Sequence, residues 1–173
     1  MRSGSYLSIV KRNEHDAFVR GFFNNGGLAG KLNSCDQDGL EFVRIWMNPI
    51  FAEDGIWYRV RVDSRDKVVA VPDAMVFASQ RAGYFPQRYL FVVEAKLGLN
   101  PESLQKMEQQ LRLYERYIDD HPDNLYFFLR SNGLTDEEIS SLGIKFSGVV
   151  RTKRSLREIR WFSLYEDDFF CHE

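Results

Sequence analysis

Glu94 and Lys96 stand two residues apart at the end of an apolar run, Tyr89-Leu90-Phe91-Val92-Val93, and Asp73 follows Pro72 on the preceding apolar segment. Carboxylates at the ends of hydrophobic strands are costly to take out of water unless a cation compensates them, and a divalent metal is the usual one. Side chains two apart on a strand share a face, so Glu94 and Lys96 converge while Ala95 turns to the other side. Pro72 lacks a backbone donor and fits a strand edge, bend or bulge, where one strand diverges and a pocket opens. If the two strands are neighbours, Asp73 and Glu94 with the Ala95 carbonyl could hold one or two hard cations, Mg²⁺ first and Mn²⁺ as its substitute. Such a constellation supports metal-assisted hydrolysis.

The elements that must position these groups can be read in order. A first helix is expected over about 6–23, with Leu7, Val10, Glu14, Phe18 and Phe22 at helical spacing before Asn24-Asn25-Gly26-Gly27. Residues 26–38 read as a polar loop. Extended segments are expected over 41–47, 56–63 and 67–77, the last two joined by a short Ser64–Asp66 connection that favours an antiparallel hairpin. Within 56–63, Ile56, Tyr58, Val60 and Val62 alternate with Trp57, Arg59 and Arg61, as on a strand with one wet face. The segment 88–96 is apolar on both faces until its end, which places it centrally in a sheet.

Asn100-Pro101-Glu102 opens a second helix with a cap, a proline suited to the first turn and an acid at the positive end of the dipole. His121-Pro122 stops it. A strand over 124–130, a short helix announced by the capping-box pattern Thr135-Asp136-Glu137-Glu138 and ending at Gly143, and a strand over 144–151 follow. The expectation is one mixed α/β (α+β) domain spanning 1–173, a central mixed β-sheet flanked by helices.

Composition bounds the function. The chain is 173 residues long with 44% hydrophobic and 14% aromatic residues, enough for a real core. No stretch approaches a membrane span, the first residues lack the apolar segment of a secretory signal, and an intracellular protein with free thiols at Cys35 and Cys171 is expected. The formal net charge of −2 hides a segregation. Arg151, Lys153, Arg154, Arg157 and Arg160 cluster, whereas Glu166-Asp167-Asp168 and Glu173 load the tail. Local potential steers a polyanion, so Arg151, Lys153, Arg154 and Arg157 are candidate nucleic-acid contacts; the alternative is a solvated turn and helix face. No zinc-ligand cluster and no phosphate-cradling glycine loop is present in the sequence.

Pro72-Asp73, a spacer and Glu94-Ala95-Lys96 together resemble the signature of the PD-(D/E)XK, or restriction-endonuclease-like, nuclease superfamily. That resemblance implies a restriction-endonuclease-like core, metal ligation by Asp73 and Glu94, and a Lys96 that orients or activates water and offsets charge on the phosphate. Gln110-Leu111-Arg112-Leu113-Tyr114 is similar to the Gln-x-x-x-Tyr motif of the RecB-like and related exonuclease branch. Gln110 and Tyr114 share a helical face with Ser103, Met107 and Tyr117, and the amide is expected to bond a metal-bound water or the substrate backbone. Many members carry a further acid on the first helix, which here would be Glu14. It is preferred to His15, although some cap-snatching RNA endonucleases resemble this layout with a histidine there; adjacent helical residues point about 100° apart, so one of the two is expected at the site.

The resemblance implies a Mg²⁺-dependent phosphodiesterase acting on nucleic acid, DNA more than RNA. The alternatives are a non-cleaving nuclease-fold protein that serves as a nucleic-acid-binding or assembly module, and an unrelated interaction protein in which Glu94 and Lys96 form a plain strand-end ion pair.

Overall fold

A computed structural model describes residues 3–24, 40–47, 49, 59–62, 65–68, 71–80, 87–151 and 159–164. In chain order the elements are α1 (Ser3–Asn24), β1 (Leu40–Met47), β2 (Arg59–Val62), β3 (Arg65–Val68), β4 (Ala74–Gln80), β5 (Gln87–Lys96), α2 (Pro101–Asp120), α3 (Pro122–Ser131), α4 (Asp136–Ser140), β6 (Leu142–Arg151) and β7 (Ile159–Ser163). The fold is α+β: a five-stranded mixed sheet, ordered β1-β4-β5-β6-β7, with helices on both faces. β5 is the central strand, antiparallel to β4 and parallel to β6. A parallel neighbour requires a crossover, and α2, α3 and α4 supply it.

Strand alternation sorts the core into two layers. Ala74, Val76, Ala78, Phe91, Val93, Ala95 and Val149 face Phe18, Val19, Phe22 and Phe23 of α1. Met75, Phe77, Leu90, Val92, Phe146 and Val150 face Met107, Leu111, Tyr114 and Ile118 of α2. β5 is thus buried on both sides, as its unbroken apolar run requires. α2 begins as its sequence indicates: Asn100 Oδ1 accepts the Ser103 N–H at 2.9 Å, and Pro101 occupies the first turn.

Several expectations are corrected. Residues 124–130 are helical, within α3. The aromatic, β-favouring composition is overridden by Leu125 and Leu129, four apart and both buried, with Pro122 and Asp123 in the first turn. Gly133, at φ 88°, ends this helix with the Leu134 N–H returning to the Leu129 carbonyl at 3.1 Å. The capping box of Thr135 and Glu138 is present, but α4 ends at Ser140 and Gly143 belongs to β6. The extended segment 67–77 falls in two strands of different sheets, β3 pairing with β2 and β4 lying in the five-stranded sheet. Val62 pairs with Arg65 and Arg61 with Asp66, so Arg65 and Asp66, expected in the connection, are strand residues of β3. β7 has no counterpart among the expected elements, and Arg160, which the alternative view of the basic cluster puts on a solvated turn and helix face, is one of its residues. The expected loop over 26–38 lies outside the described residues.

Candidate active site

The site forms where the β4–β5 ladder stops. The last pair is Ala74 with Val93, so the next step sets Asp73 across from Glu94, and the one after would set Pro72 across from Ala95. Proline has no N–H to give, and the ladder cannot continue through it. Ala95 is left with a backbone N–H and C=O directed toward the side β4 has vacated, and buried peptide groups must be answered. Asp73 Oδ2 accepts the Ala95 N–H at 2.7 Å. His15 Nε2, arriving from α1, lies 2.9 Å from the Ala95 carbonyl and 3.4 Å from Asp73 Oδ2.

Glu94 and Lys96 point into the opposite layer, toward α2. Lys96 Nζ donates to Glu94 Oε1 at 2.7 Å and to Gln110 Oε1 at 2.6 Å. The Tyr114 hydroxyl donates to Glu94 Oε2 at 2.8 Å. Gln110 and Tyr114, one helical turn apart on α2, therefore lock the ammonium and the carboxylate of β5, and a hydrogen bond from Gln110 also reaches Tyr114. Five of the sequence-derived candidates, Asp73, Glu94, Lys96, Gln110 and Tyr114, are brought together with the Ala95 backbone between them.

Electrostatics follow from burial. Glu94 is 3% exposed, and desolvation pushes its carboxyl above the ordinary range, helped by the Asp73 charge and opposed by Lys96. The His15 imidazole, bonded to the Asp73 carboxylate, is pushed up to about 9 against the desolvation that works the other way. Burial, then the charge of Glu94, drives the Tyr114 hydroxyl upward, so it remains a donor. At neutral pH an imidazolium thus stands where the Asp73 carboxylate and the Ala95 carbonyl converge, with an ammonium beside Glu94.

Glu14 is a correction. Its side chain is exposed, and the inward face of α1 runs through His15, Phe18, Val19, Phe22 and Phe23, one position out of phase with the stripe drawn through Glu14. His15 is the group of α1 that reaches the site. The signal was available: Phe18-Val19 and Phe22-Phe23 fix the buried arc, and residue 15 completes it at i−3 and i−4. Arg151, at the end of β6 beyond the Lys96–Val150 pair, lies at the same end of the sheet, its guanidinium 5.6 Å from the centre of the Phe18 ring. Lys153, Arg154 and Arg157 lie outside the described residues.

The donor chemistry suits a hard divalent cation: Asp73 and Glu94 carboxylates and the Ala95 carbonyl are oxygen ligands, and two of these three already focus on one cationic group, His15. Among the described residues, no three His, Cys, Asp or Glu side chains form a ready-made metal cluster. The Glu94 oxygens are turned to Lys96 and Tyr114. Among the described residues no helix is long and apolar enough to cross a membrane. No family model matches the chain, and no solved structure matches it.

Proposed function

We propose that this chain is a metal-dependent nuclease with a restriction-endonuclease-like core, hydrolysing phosphodiester bonds of nucleic acid, DNA in preference to RNA. The observation that carries this reading is the meeting of Asp73 and Glu94 across the end of the β4–β5 ladder with Lys96 bonded between Glu94 and Gln110. Asp73, Glu94 and the Ala95 carbonyl would hold Mg²⁺, or Mn²⁺ in its place. When bound, the ion supplies Lewis acidity and neutralises charge at a phosphodiester.

The chain's own groups have separate tasks. Lys96, held by two acceptors, brings a fixed positive charge to where negative charge develops on the phosphate. Tyr114 fixes the rotation of the Glu94 carboxylate through Oε2. His15 holds a proton between the Ala95 carbonyl and Asp73, and must surrender it before a metal can take that place. Arg151 lies on the same sheet end to receive the polyanion.

A second reading is favoured by one observation: both Glu94 oxygens are already committed to Lys96 and Tyr114, an arrangement a non-cleaving binding module could retain. Cleavage of single-stranded DNA, duplex DNA and RNA probes with and without Mg²⁺ separates the two. The nuclease reading expects metal-dependent cleavage that falls about a hundredfold or more in Asp73→Asn and in Lys96→Gln. Cleavage at the same rate in both variants, or none by the parent protein with any probe, removes it.

A further inference from the structure

The inward arc of α1 changes chemistry along its length. Phe18, Val19, Phe22 and Phe23, each at most 3% exposed, lie against β4 and β5, and His15 follows them to the Ala95 carbonyl where the ladder ends. At about 100° per residue, these four side chains fall within about 80° of His15. Lys11 and Arg12 fall on the same arc, about 40° and 60° to either side of His15, and both are exposed. The rise of about 1.5 Å per residue carries them about 4.5–6 Å past His15 along the helix. α1 therefore overhangs the end of the sheet: the arc that is apolar over the strands is cationic over the site.

The acids of this part of α1 lie off the arc. Glu14 and Asp16 project about 100° to either side of His15, and Asp16 Oδ1 lies 3.7 Å from His15 Nδ1. Arg151 joins the same layer from β6, one step beyond the Lys96–Val150 pair, with its guanidinium 5.6 Å from the centre of the Phe18 ring. The α2 side of the site differs. Lys106 Nζ donates to Glu102 Oε1 at 2.6 Å and Arg112 Nη2 to Glu108 Oε1 at 2.9 Å, so the first two cations of α2 are answered by acids of their own helix. Glu94 and Tyr114, 3% and 1% exposed, are closed over on that side.

We propose that Lys11 and Arg12 of α1, with Arg151 of β6, form a rim that holds the backbone phosphates of a nucleic-acid strand, so that substrate reaches Asp73 and Glu94 over α1 and not over α2. Charge complementarity names the occupant: cations from two elements gather at one end of the sheet in a protein of net charge −2, and local potential steers a polyanion. Contacts to phosphate carry no sequence information, so the rim positions a strand without selecting its bases. The inference rests on the nuclease reading and deepens it by fixing which face of the sheet carries the substrate, yet the binding it invokes needs neither metal nor cleavage.

The test is the salt dependence of binding, measured by fluorescence anisotropy with the full chain in EDTA. Probes are a labelled oligodeoxythymidine strand and a short labelled DNA duplex, and the slope is read on whichever the parent binds more tightly. Lys11→Gln with Arg12→Gln should make the slope of log K against log salt shallower by about 1.4 on the strand or about 1.8 on the duplex, since each phosphate contact contributes about 0.7 or 0.9. Both positions are exposed and glutamine is a good helix former, so α1 is kept. Lys106→Gln with Arg112→Gln removes the same charge from α2 and should change the slope by less than half as much. Lys11→Arg with Arg12→Lys should keep the parent slope. An unchanged slope in the α1 glutamine variant, an equal change in the α2 variant, a shallower slope in the charge-keeping variant, or no binding of either probe by the parent would each overturn the proposal. Because the slopes are read without Mg²⁺, a rim that fails leaves metal-dependent cleavage standing, and cleavage that fails leaves the rim standing as part of a non-cleaving binding module.

Discussion

Replacing His15 by Gln should flatten the alkaline side of the stability profile of the metal-free protein. The imidazole is pushed from 6.5 to about 9 in the folded chain, first by its bond to the Asp73 carboxylate. A group whose folded pKa is raised contributes stability that is whole below its ordinary value and is lost as pH climbs through the raised one. The window is therefore 6.5 to about 9. A gap of that size corresponds to about 3 kcal/mol if fully expressed. The imidazole is 27% exposed, so solvent screening reduces the expectation to about 1–2 kcal/mol. For a chain of this length each kcal/mol moves Tm by about 2–4 °C, giving a difference of about 2–8 °C.

The assay is thermal unfolding by circular dichroism in EDTA, from roughly pH 5.5 to 10, on parent and variant side by side. Glutamine keeps a donor for the Ala95 carbonyl and carries no charge. The Tm difference should be largest at the acid end and shrink toward zero above the raised imidazole value. Comparison with the variant also removes the contribution of Glu94, whose raised carboxyl pKa pushes stability in the same direction with pH. A difference that does not vary with pH would refute the claim that Asp73 and Ala95 bind the imidazolium.

Two other perturbations probe the opposite layer. Tyr114→Phe deletes the donor to Glu94 Oε2 at constant shape and leaves a buried carboxylate oxygen unanswered, a loss of about 1.5–3 kcal/mol visible as a lower denaturation midpoint; an unchanged midpoint would mean that water replaces the hydroxyl. Gly148→Ala places a methyl group against Met107 Sδ and Cε and should cost about 1–3 kcal/mol by overpacking, and clearly less when made in a Met107→Ala background; the same cost in both backgrounds would show that the strain lies elsewhere.

Much of β5 and α2 was legible in the sequence because their signals are local. The apolar run into Glu94-Ala95-Lys96 fixes which side chains share a face, and Asn100-Pro101 fixes where α2 begins, so Gln110 and Tyr114 fall on the arc that meets β5. The failures are those in which a local signal lost to packing. Tyr126, Phe127 and Phe128 favour a strand by type, yet Leu125 and Leu129 need a helix to reach the α2 layer together. Glu14 fits a sparse i, i+4 pattern, and only the paired apolar residues after it show that the buried arc passes through His15. The two-sheet division of 59–80 depends on which strand β4 finds, a pairing no local pattern encodes.

The same logic explains why the site lies at this point of the sheet. A continuous ladder would have answered the Ala95 peptide with backbone and left no reason for a carboxylate or an imidazole to approach it. Pro72 breaks the ladder at the step where Ala95 needs a donor, and the two groups that answer, Asp73 and His15, both carry charge. One residue to either side, Glu94 and Lys96 point the other way and meet α2. The alternation of a single strand thus divides the site between two helical layers, with the interrupted backbone as the link between them. Moving the proline one position on would remove an N–H that points away from β5, leaving residue 72 a donor for the Ala95 carbonyl and no interruption for charged groups to answer.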